Sequence, residues 1–471
     1  MLRRRYAKFQ NAVSIPFINL HAPKGHNEGM KTLKREEPWI FCCFKKSLKR
    51  RYIPMAPEKE NNQVLRIIHP ICCGLDVHKR FVSACILKTL PDGSIEVEVR
   101  EFETFTDDLI ALREWLIEKD CPIVAMESTG VYWQPIHNIL EGYVEVILVN
   151  ARHIKNVPGR KTDVSDSRWL AELLRVGLLR ASYIPPKQVR FWRELVRLRQ
   201  KHVKTLADYK KRVQKLFESA NIKLDNVVSD LFGETGRQIM RLLLETPKPS
   251  LEEVRACAKG KLKKKVEELY RSICGFFEEH HRFLLHSLLS IIETLEKEIG
   301  IMDIRIKEVM RHHEDLIERL KGIPGVSEVS ARAILAEVGP DLRSFPNERA
   351  LASWAGVCPG NNESGGKRIS GKSPVKKHPL RSVLIEVSWA ATRKKGTYYA
   401  AKYRQLRARR GPKKAIGAIA HKILKAVYFI IKEGQEYREL GANHLKQINR
   451  ERLLTKIKEE AERLGYKVVA A

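Results

Sequence analysis

The chain has 471 residues with a hydrophobic fraction of 43%, enough for two or three domains with cores of their own. Its formal net charge of +31 does not suit an enzyme of small neutral substrates and does suit a polyanionic partner, because each Lys or Arg placed on a phosphate releases a condensed counterion. Nine cysteines, an odd number with no C-x-x-C spacing in a large chain, argue against a zinc or disulfide framework and fit a reducing, cytoplasmic setting, and the best candidate apolar run, Ala415 to Ile431, carries His421, Lys422 and Lys425, so no membrane span is expected.

In chain order, residues 1–65 are basic and unpatterned, as at Ala22-Pro23-Lys24-Gly25, and predict an extension without stable structure. No apolar stretch and cleavage site of a signal peptide follow the basic start. Met55 is an alternative start of translation, which mass spectrometry of the native N-terminus would decide.

A compact α/β rhythm begins near residue 68. Ile71 to His78 reads as a buried strand and Phe81 to Leu87 as a second; Pro91-Asp92-Gly93 is a turn. Ile95, Val97 and Val99 alternate with charged residues as in a half-buried strand. Thr106 caps a helix to about Glu118 with Asp107 and Asp108 in its first turn. Pro122 to Met126 is a strand, Val131 to Glu141 a helix and Val144 to Val149 a strand. Thr162 or Asp163 opens a further helix that ends near Gly177. Three hairpin-linked strands followed by alternating helices and strands predict a ribonuclease H-like (RuvC-like) domain over residues 68–184.

Pro185-Pro186 closes that domain, and Gln188 to Ala220 reads as one long charged helix. Leu285, Leu288, Ile292, Leu295, Ile299, Met302, Ile306 and Val309 form an a/d heptad seam, with Leu316, Leu320 and Ile323 in phase beyond one polar position at His313. Such a seam serves self-association through a coiled coil or packing within one molecule. Residues 187–320 are thus a long helical segment, with shorter helices over about 221–275. A mainly helical C-terminal domain over 321–435 and a helical tail over 436–471 complete the chain, which is α/β plus α in class.

Five stretches carry chemistry. Gly74-Leu75-Asp76-Val77-His78 puts a carboxylate in the middle of an apolar strand, which is costly unless it is paired or binds a cation. Ala125-Met126-Glu127-Ser128-Thr129-Gly130 ends an apolar strand on Glu127 before a Gly turn. Lys161-Thr162-Asp163-Val164-Ser165-Asp166 spaces two carboxylates three apart on a helix, on one side of it. In a ribonuclease H-like domain these elements converge at one end, and four hard oxygen donors there suit Mg²⁺. Leu320-Lys321-Gly322-Ile323-Pro324-Gly325-Val326 has the form of a helix-hairpin-helix turn, whose backbone N–H groups can hold a phosphate at Gly322 and Gly325. Cys358 through Lys367-Arg368 to Lys372 is a polar, basic, Gly-rich loop between helices. Gly365 and Gly366 would let Lys367, Arg368 and Lys372 approach a nucleic-acid backbone and would leave Ser364 open to act as a nucleophile or simply as part of a phosphate-binding loop. No His or Asp stands beside Ser364 in sequence to activate it.

Together these residues resemble the DEDD insertion-sequence transposases, the family named for insertion sequence 110. Gly74 to Lys79, Glu127 to Trp133, and Lys161-Thr162-Asp163 with Asp166 are similar to its N-terminal half. Ile323 to Val326, Gly356 to Pro359 and Glu363 to Lys367 are similar to its C-terminal half. The likeness runs in order from about residue 68 to beyond 430. It implies a metal-binding tetrad of Asp76, Glu127, Asp163 and Asp166 and a nucleophile at Ser364 that joins covalently to a cut DNA end. It also implies a homo-oligomer, a dimer or tetramer, with the two parts of the site contributed by different subunits. A guide RNA encoded by the element would pair with donor and target DNA. The rival reading is a Mg²⁺-dependent junction-resolving nuclease that uses water as nucleophile. Lys376-Lys377-His378-Pro379 is more basic than the family pattern, and the N-terminal extension has no counterpart in it.

Overall fold

The computed structural model describes residues 66–128, 130–150, 166–360, 362–371 and 378–465. The expected N-terminal extension, Met55, Asp163, Lys372 and the opening of the helix at Thr162 or Asp163 lie outside the described residues.

The first body is a five-stranded sheet in the order β3-β2-β1-β4-β5. Its strands are β1 (Ile71–Val77), β2 (Phe81–Thr89), β3 (Ile95–Glu103), β4 (Ile123–Glu127) and β5 (Glu145–Val149). β1, β2 and β3 pair antiparallel through tight turns, while β4 and β5 join parallel to β1. The parallel pairs need crossovers. α1 (Thr106–Glu118) lies between β3 and β4, and α2 (Trp133–Leu140) between β4 and β5. This mixed sheet followed by helices is the ribonuclease H-like plus helical arrangement expected from the sequence.

Side chains of β1 alternate between two buried layers, which is why its sequence is apolar apart from Asp76. Cys73, Leu75 and Val77 join Leu109, Leu112, Trp115, Leu116, Ile136 and Leu140 beneath α1 and α2. Cys72 joins Cys85, Leu87, Ala125, Ala171 and Leu174 beneath α3 (Asp166–Arg175) on the other face. Burial pushes the thiols of Cys72 and Cys121 up to about 12 and that of Cys85 to about 11, so these are packing residues rather than nucleophiles. The edge strand differs from the sequence expectation. Ile95, Val97 and Val99 are exposed, because α3 does not reach that edge, and Glu98 on the opposite face accepts from the Trp115 indole at 3.1 Å.

Two long helices follow the sheet. α4 (Lys187–Ser219) and α8 (Glu279–Val309) pack against each other along their lengths. They run antiparallel, since Arg199 pairs with Asp303 and Lys210, farther along α4, pairs with Glu296, earlier in α8. The heptad seam of α8 therefore finds a partner helix in its own chain. Its ends are buried at Leu285, Ile292 and Ile306, while Leu295, Ile299 and Met302 between them are half-buried. The helix does not continue through His313. It ends at Met310, and a 3-10 turn over Arg311–His313 sets the His313 ring 5.1 Å from that of Trp192.

The pair bridges two cores. At one end α5 (Glu234–Glu245), α6 (Leu251–Cys257) and α7 (Val266–Ile273) close a helical lobe around Val213, Phe217, Ile239, Leu269 and Ile292. At the other, Val189, Trp192, Val196, Ile306 and Met310 enter the core of the C-terminal helices. These are α9 (Glu314–Lys321), α10 (Glu328–Val338), α11 (Glu348–Trp354), α12 (Pro379–Arg393), α13 (Tyr398–Arg410) and α14 (Pro412–Glu433). α14 is the apolar run flagged in the sequence; buried Ile416, Ile419, Ile423, Leu424 and Val427 make it the central helix of that core. Among the described residues no helix is long and apolar enough to cross a membrane. α15 (His444–Arg463) ends the described chain without a buried residue.

Candidate active site

β1 and β4 lie in parallel register with Leu75 beside Met126. One step along, Asp76 and Glu127 are therefore neighbours at the C-terminal ends of the two strands, pointing to the same face. That face is the one covered by α3, because Gly74 and Ala125, two residues earlier, lie on it. The direction of α3 then brings in the third carboxylate. The Arg175 carbonyl at its C-terminus accepts from the backbone N–H groups of Ile68 and His69, just before β1, so α3 runs antiparallel to β1 and its first residue, Asp166, returns to the end where Asp76 stands. A side-chain contact fixes the register: Ser83 pairs with Asp76 across the β1–β2 ladder, and its hydroxyl lies 3.3 Å from that of Ser167.

Gly74 makes the approach possible. A Cβ there would stand 2.0 Å from the Ser167 carbonyl oxygen and 2.6 Å from the Ala171 nitrogen, so only a glycine lets α3 lie directly on β1. The result is a rim of three carboxylates, Asp76 and Glu127 half-buried and Asp166 exposed, at one open edge of the sheet. Hard oxygen donors from three elements fit a divalent cation. Among the described residues these side chains are not gathered into a ready cage. The Asp76 carboxylate instead has His78 Nε2 at 3.0 Å, a partner that the sequence reading did not single out although it stands two residues away.

Ser364 belongs to a different body. The Gly-rich stretch read as a loop is a hairpin of β6 (Asn362–Ser364) and β7 (Lys367–Ser370), with Ser364 paired to Lys367. Gly365 and Gly366, at φ +56° and +74°, make the two-residue turn between them. Positive φ at both central residues is what a type I′ turn demands, and a Gly-Gly pair supplies it without strain. The backbone thus puts Ser364 at the tip, with exposed Lys367 opposite. Arg368 follows on β7.

Described residues before and after this hairpin in sequence pack on the C-terminal helices. On the entry side Cys358 Sγ lies 3.6 Å from His421 Nδ1 of α14. On the exit side the His378 ring meets Trp354 of α11 edge-on at 4.3 Å between centroids. Trp354 packs against Tyr183 and Phe345, with the Arg193 guanidinium over both Tyr183 and Trp354. Arg193 and Arg197 of α4 converge on Glu337 of α10, a carboxylate only 1% exposed; Arg197 grips it through two bonds of 2.8 and 2.9 Å. Burial, reinforced by Arg193 and Arg197 and opposed by Glu337, holds the His378 imidazole below its ordinary range. The cluster reaches the sheet as well: Ala181 bridges to Val149 of β5 and the Ser182 N–H donates to the Leu148 carbonyl at 2.7 Å, so Tyr183 leaves the sheet edge directly into it. No sequence signal marks this cluster, because its members come from distant segments.

The turn between α9 and α10 is inward-facing. Ile323 and Pro324 are buried, and a Cβ on Gly325 would stand 2.6 Å from the Val387 carbonyl oxygen and 2.5 Å from the Ala391 nitrogen of α12. The N–H groups of Ile323 and Val326 donate to carbonyls within the turn, and Ser327 and Ser330 cap α10 reciprocally. Gly322 is exposed.

A mixed sheet with acidic residues at the C-terminal ends of two adjacent parallel strands, joined to a helical body, is consistent with the ribonuclease H-like class. Comparison with known families narrows this. A DEDD transposase model matches residues 73–222, which hold Asp76, Glu127, Asp163 and Asp166, and a model of the transposase IS116/IS110/IS902 family matches residues 317–404, which hold the α9–α10 turn and Ser364. The chain belongs to the IS110 family of transposases. It is 29% identical over 159 residues to the transposase for insertion sequence element IS1111A of Coxiella burnetii, covering 33% of this chain and 43% of that protein. It is 33% identical over 109 residues to an IS117 mini-circle protein of Streptomyces coelicolor, covering 22% of this chain and 26% of that protein. The chain thus spans less than half the length of these curated relatives.

Proposed function

We propose that the protein is the recombinase of an insertion sequence. It cuts and rejoins DNA through a covalent phosphoserine at Ser364, in a site completed by Asp76, Glu127, Asp163 and Asp166. The observation that carries this reading is the convergence of Asp76, Glu127 and Asp166 at one sheet edge, in a chain whose family match continues through the serine hairpin. The carboxylates would hold Mg²⁺, which supplies Lewis-acid polarisation of a phosphate when bound. In this reading the Ser364 hydroxyl attacks a DNA phosphorus. An Oγ–P bond forms as one phosphorus–sugar oxygen bond breaks, and the departing sugar oxygen takes up a proton. The number of phosphoester bonds is unchanged, so attack by another sugar hydroxyl reseals DNA and frees the serine without ATP. Lys367, Arg368 and Lys372 would contact the nucleic-acid backbone, while Gly365 and Gly366 keep the hairpin turn uncrowded and Gly322 stands at the exposed side of the α9–α10 turn. Guidance by an element-encoded RNA accounts for a high positive charge without a sequence-reading motif, since pairing reads the sequence and protein holds backbones.

The test is covalent trapping. Protein, element RNA, Mg²⁺ and labelled junction DNA are incubated and resolved on a denaturing gel beside Ser364→Ala. A slow-migrating adduct that vanishes in the variant is the expected result. Cleavage that survives Ser364→Ala without any adduct would move the protein to the junction-resolving nuclease reading.

A further inference from the structure

Most of the helical lobe, residues 223–292, lies between the two family matches, so the family likeness assigns that part nothing. Its surface carries a dense cationic feature. The turn between α6 and α7, over Lys259 to Lys265, holds five lysines around one glycine and one leucine. It is built rather than loose. Gly260–Lys264 is a 3-10 turn, Leu262 packs on the lobe core, and the Lys259 N–H donates at 3.1 Å to the hydroxyl of buried Thr235. With Leu262 turned inward, Lys259, Lys261, Lys263 and Lys264 are all exposed.

Pairing distinguishes them from their nearest neighbour. Lys265, at the end of the same turn, meets Glu268, and Lys210, Lys211 and Lys223 of the lobe also each meet a carboxylate. Among the described ion pairs, none includes Lys259, Lys261, Lys263 or Lys264. Four lysines crowded on a rigid turn repel one another in the isolated protein, a cost that a polyanion removes. Lysine is a hydrated point charge that contacts phosphate without reading bases.

We infer that this lysine turn is a sequence-independent contact for the backbone of duplex DNA flanking the cut site, an inference that rests on the recombinase reading above. Its place on the molecule favours this partner. Thr235, which anchors the turn, lies two residues from Arg237, and Arg237 and Lys210 share Glu296. The turn therefore sits at the level of Lys210 on α4. From Lys187, where α4 leaves the sheet, to Lys210 is roughly 35 Å at ~1.5 Å per residue. A straight duplex lying along α4 covers that distance in about ten base pairs at ~3.4 Å each. The lobe is thus an outrigger that grips DNA well away from the phosphodiester being cut.

The experiment compares full-length protein with the quadruple variant Lys259→Gln, Lys261→Gln, Lys263→Gln and Lys264→Gln, and with the matching quadruple Arg variant. Binding is measured against salt for a short junction duplex of roughly eight base pairs on each side of the cut, which falls short of the reach, and a long one of roughly twenty. The Gln variant is expected to melt no lower than wild type and to match it on the short duplex. On the long duplex it should lose about ten-fold or more in affinity, with a log–log salt slope shallower by about 3 to 4. The Arg variant should bind as wild type does. An unchanged slope on the long duplex overturns the assignment. A loss confined to element RNA overturns duplex DNA as the partner. Wild-type protein that neither binds nor cuts the short duplex would overturn the recombinase reading itself, and this assignment with it.

Discussion

Gly74 and Asp76, two residues apart on one strand, fail in opposite ways when changed. Any side chain at Gly74 drives into the Ser167 carbonyl and lifts α3 from the sheet. Gly74→Val is expected to lower stability by about 1–3 kcal/mol or more through overpacking and to abolish cleavage by displacing Asp166. Asp76→Asn sits on the solvent-open rim and should leave the urea midpoint nearly unchanged while abolishing cleavage. Unfolding curves and a cleavage assay on both variants check the contrast, and a Gly74→Val protein that is stable and active would refute the packing argument. Asp76 and Glu127 were legible in sequence because one interrupts and the other ends an apolar run. The reason for Gly74 was not, because what it meets is a helix far along the chain. Glu337 was equally silent. Glu337→Gln would leave Arg193 and Arg197 facing each other around a buried site, at a cost of about 3 kcal/mol. The lower end of the range applies because Arg197 is partly solvated. Calorimetric melting reads it directly.

At the scale of elements, the strands and helices of the sheet domain stand where periodicity put them. The misses share one cause: local sequence does not report what lies opposite. Val97 and Val99 alternate as a buried face would, yet the helix that should cover them stops short. The serine segment looked like a loop because β6 and β7 are short and polar, although Gly365-Gly366 is itself a hairpin signal. His313 looked like one polar step in a heptad seam and is where the helix breaks. The hairpin root makes a prediction of its own. His378 has its folded-state pKa lowered by burial and by the neighbouring arginines, against the pull of Glu337. The unfolded chain then binds a proton that the folded one refuses. The stabilisation is fully present above the ordinary imidazole value, about 6.5, and is lost as pH falls below it through the folded pKa. Melting temperature should therefore drop below that pH, and less steeply in His378→Asn. Identical slopes in the two proteins would show that His378 does not titrate into the root.

At the scale of the whole molecule, the two parts of the proposed site occupy different bodies: the carboxylates on the five-stranded sheet and Ser364 on a hairpin carried by the C-terminal helices. The link between them is built on Tyr183, Trp354, Arg193 and Glu337. A serine and carboxylates carried on different bodies can be brought together by a second copy of the chain. Mixing separates the alternatives. Asp76→Asn and Ser364→Ala proteins are each expected to be inactive alone. If each site takes its serine from one subunit and its carboxylates from another, random mixing in a dimer restores on the order of a quarter of the sites, because half the dimers are mixed and each has one intact site. The covalent adduct should then form only on the Asp76→Asn chain, whose serine is intact and whose carboxylates come from its partner. Tagging one chain to change its mass makes this visible on the denaturing gel. If serine and carboxylates act within one chain, no mixture yields an adduct, and the link through Trp354 and Glu337 would instead have to bring the tip back to its own sheet.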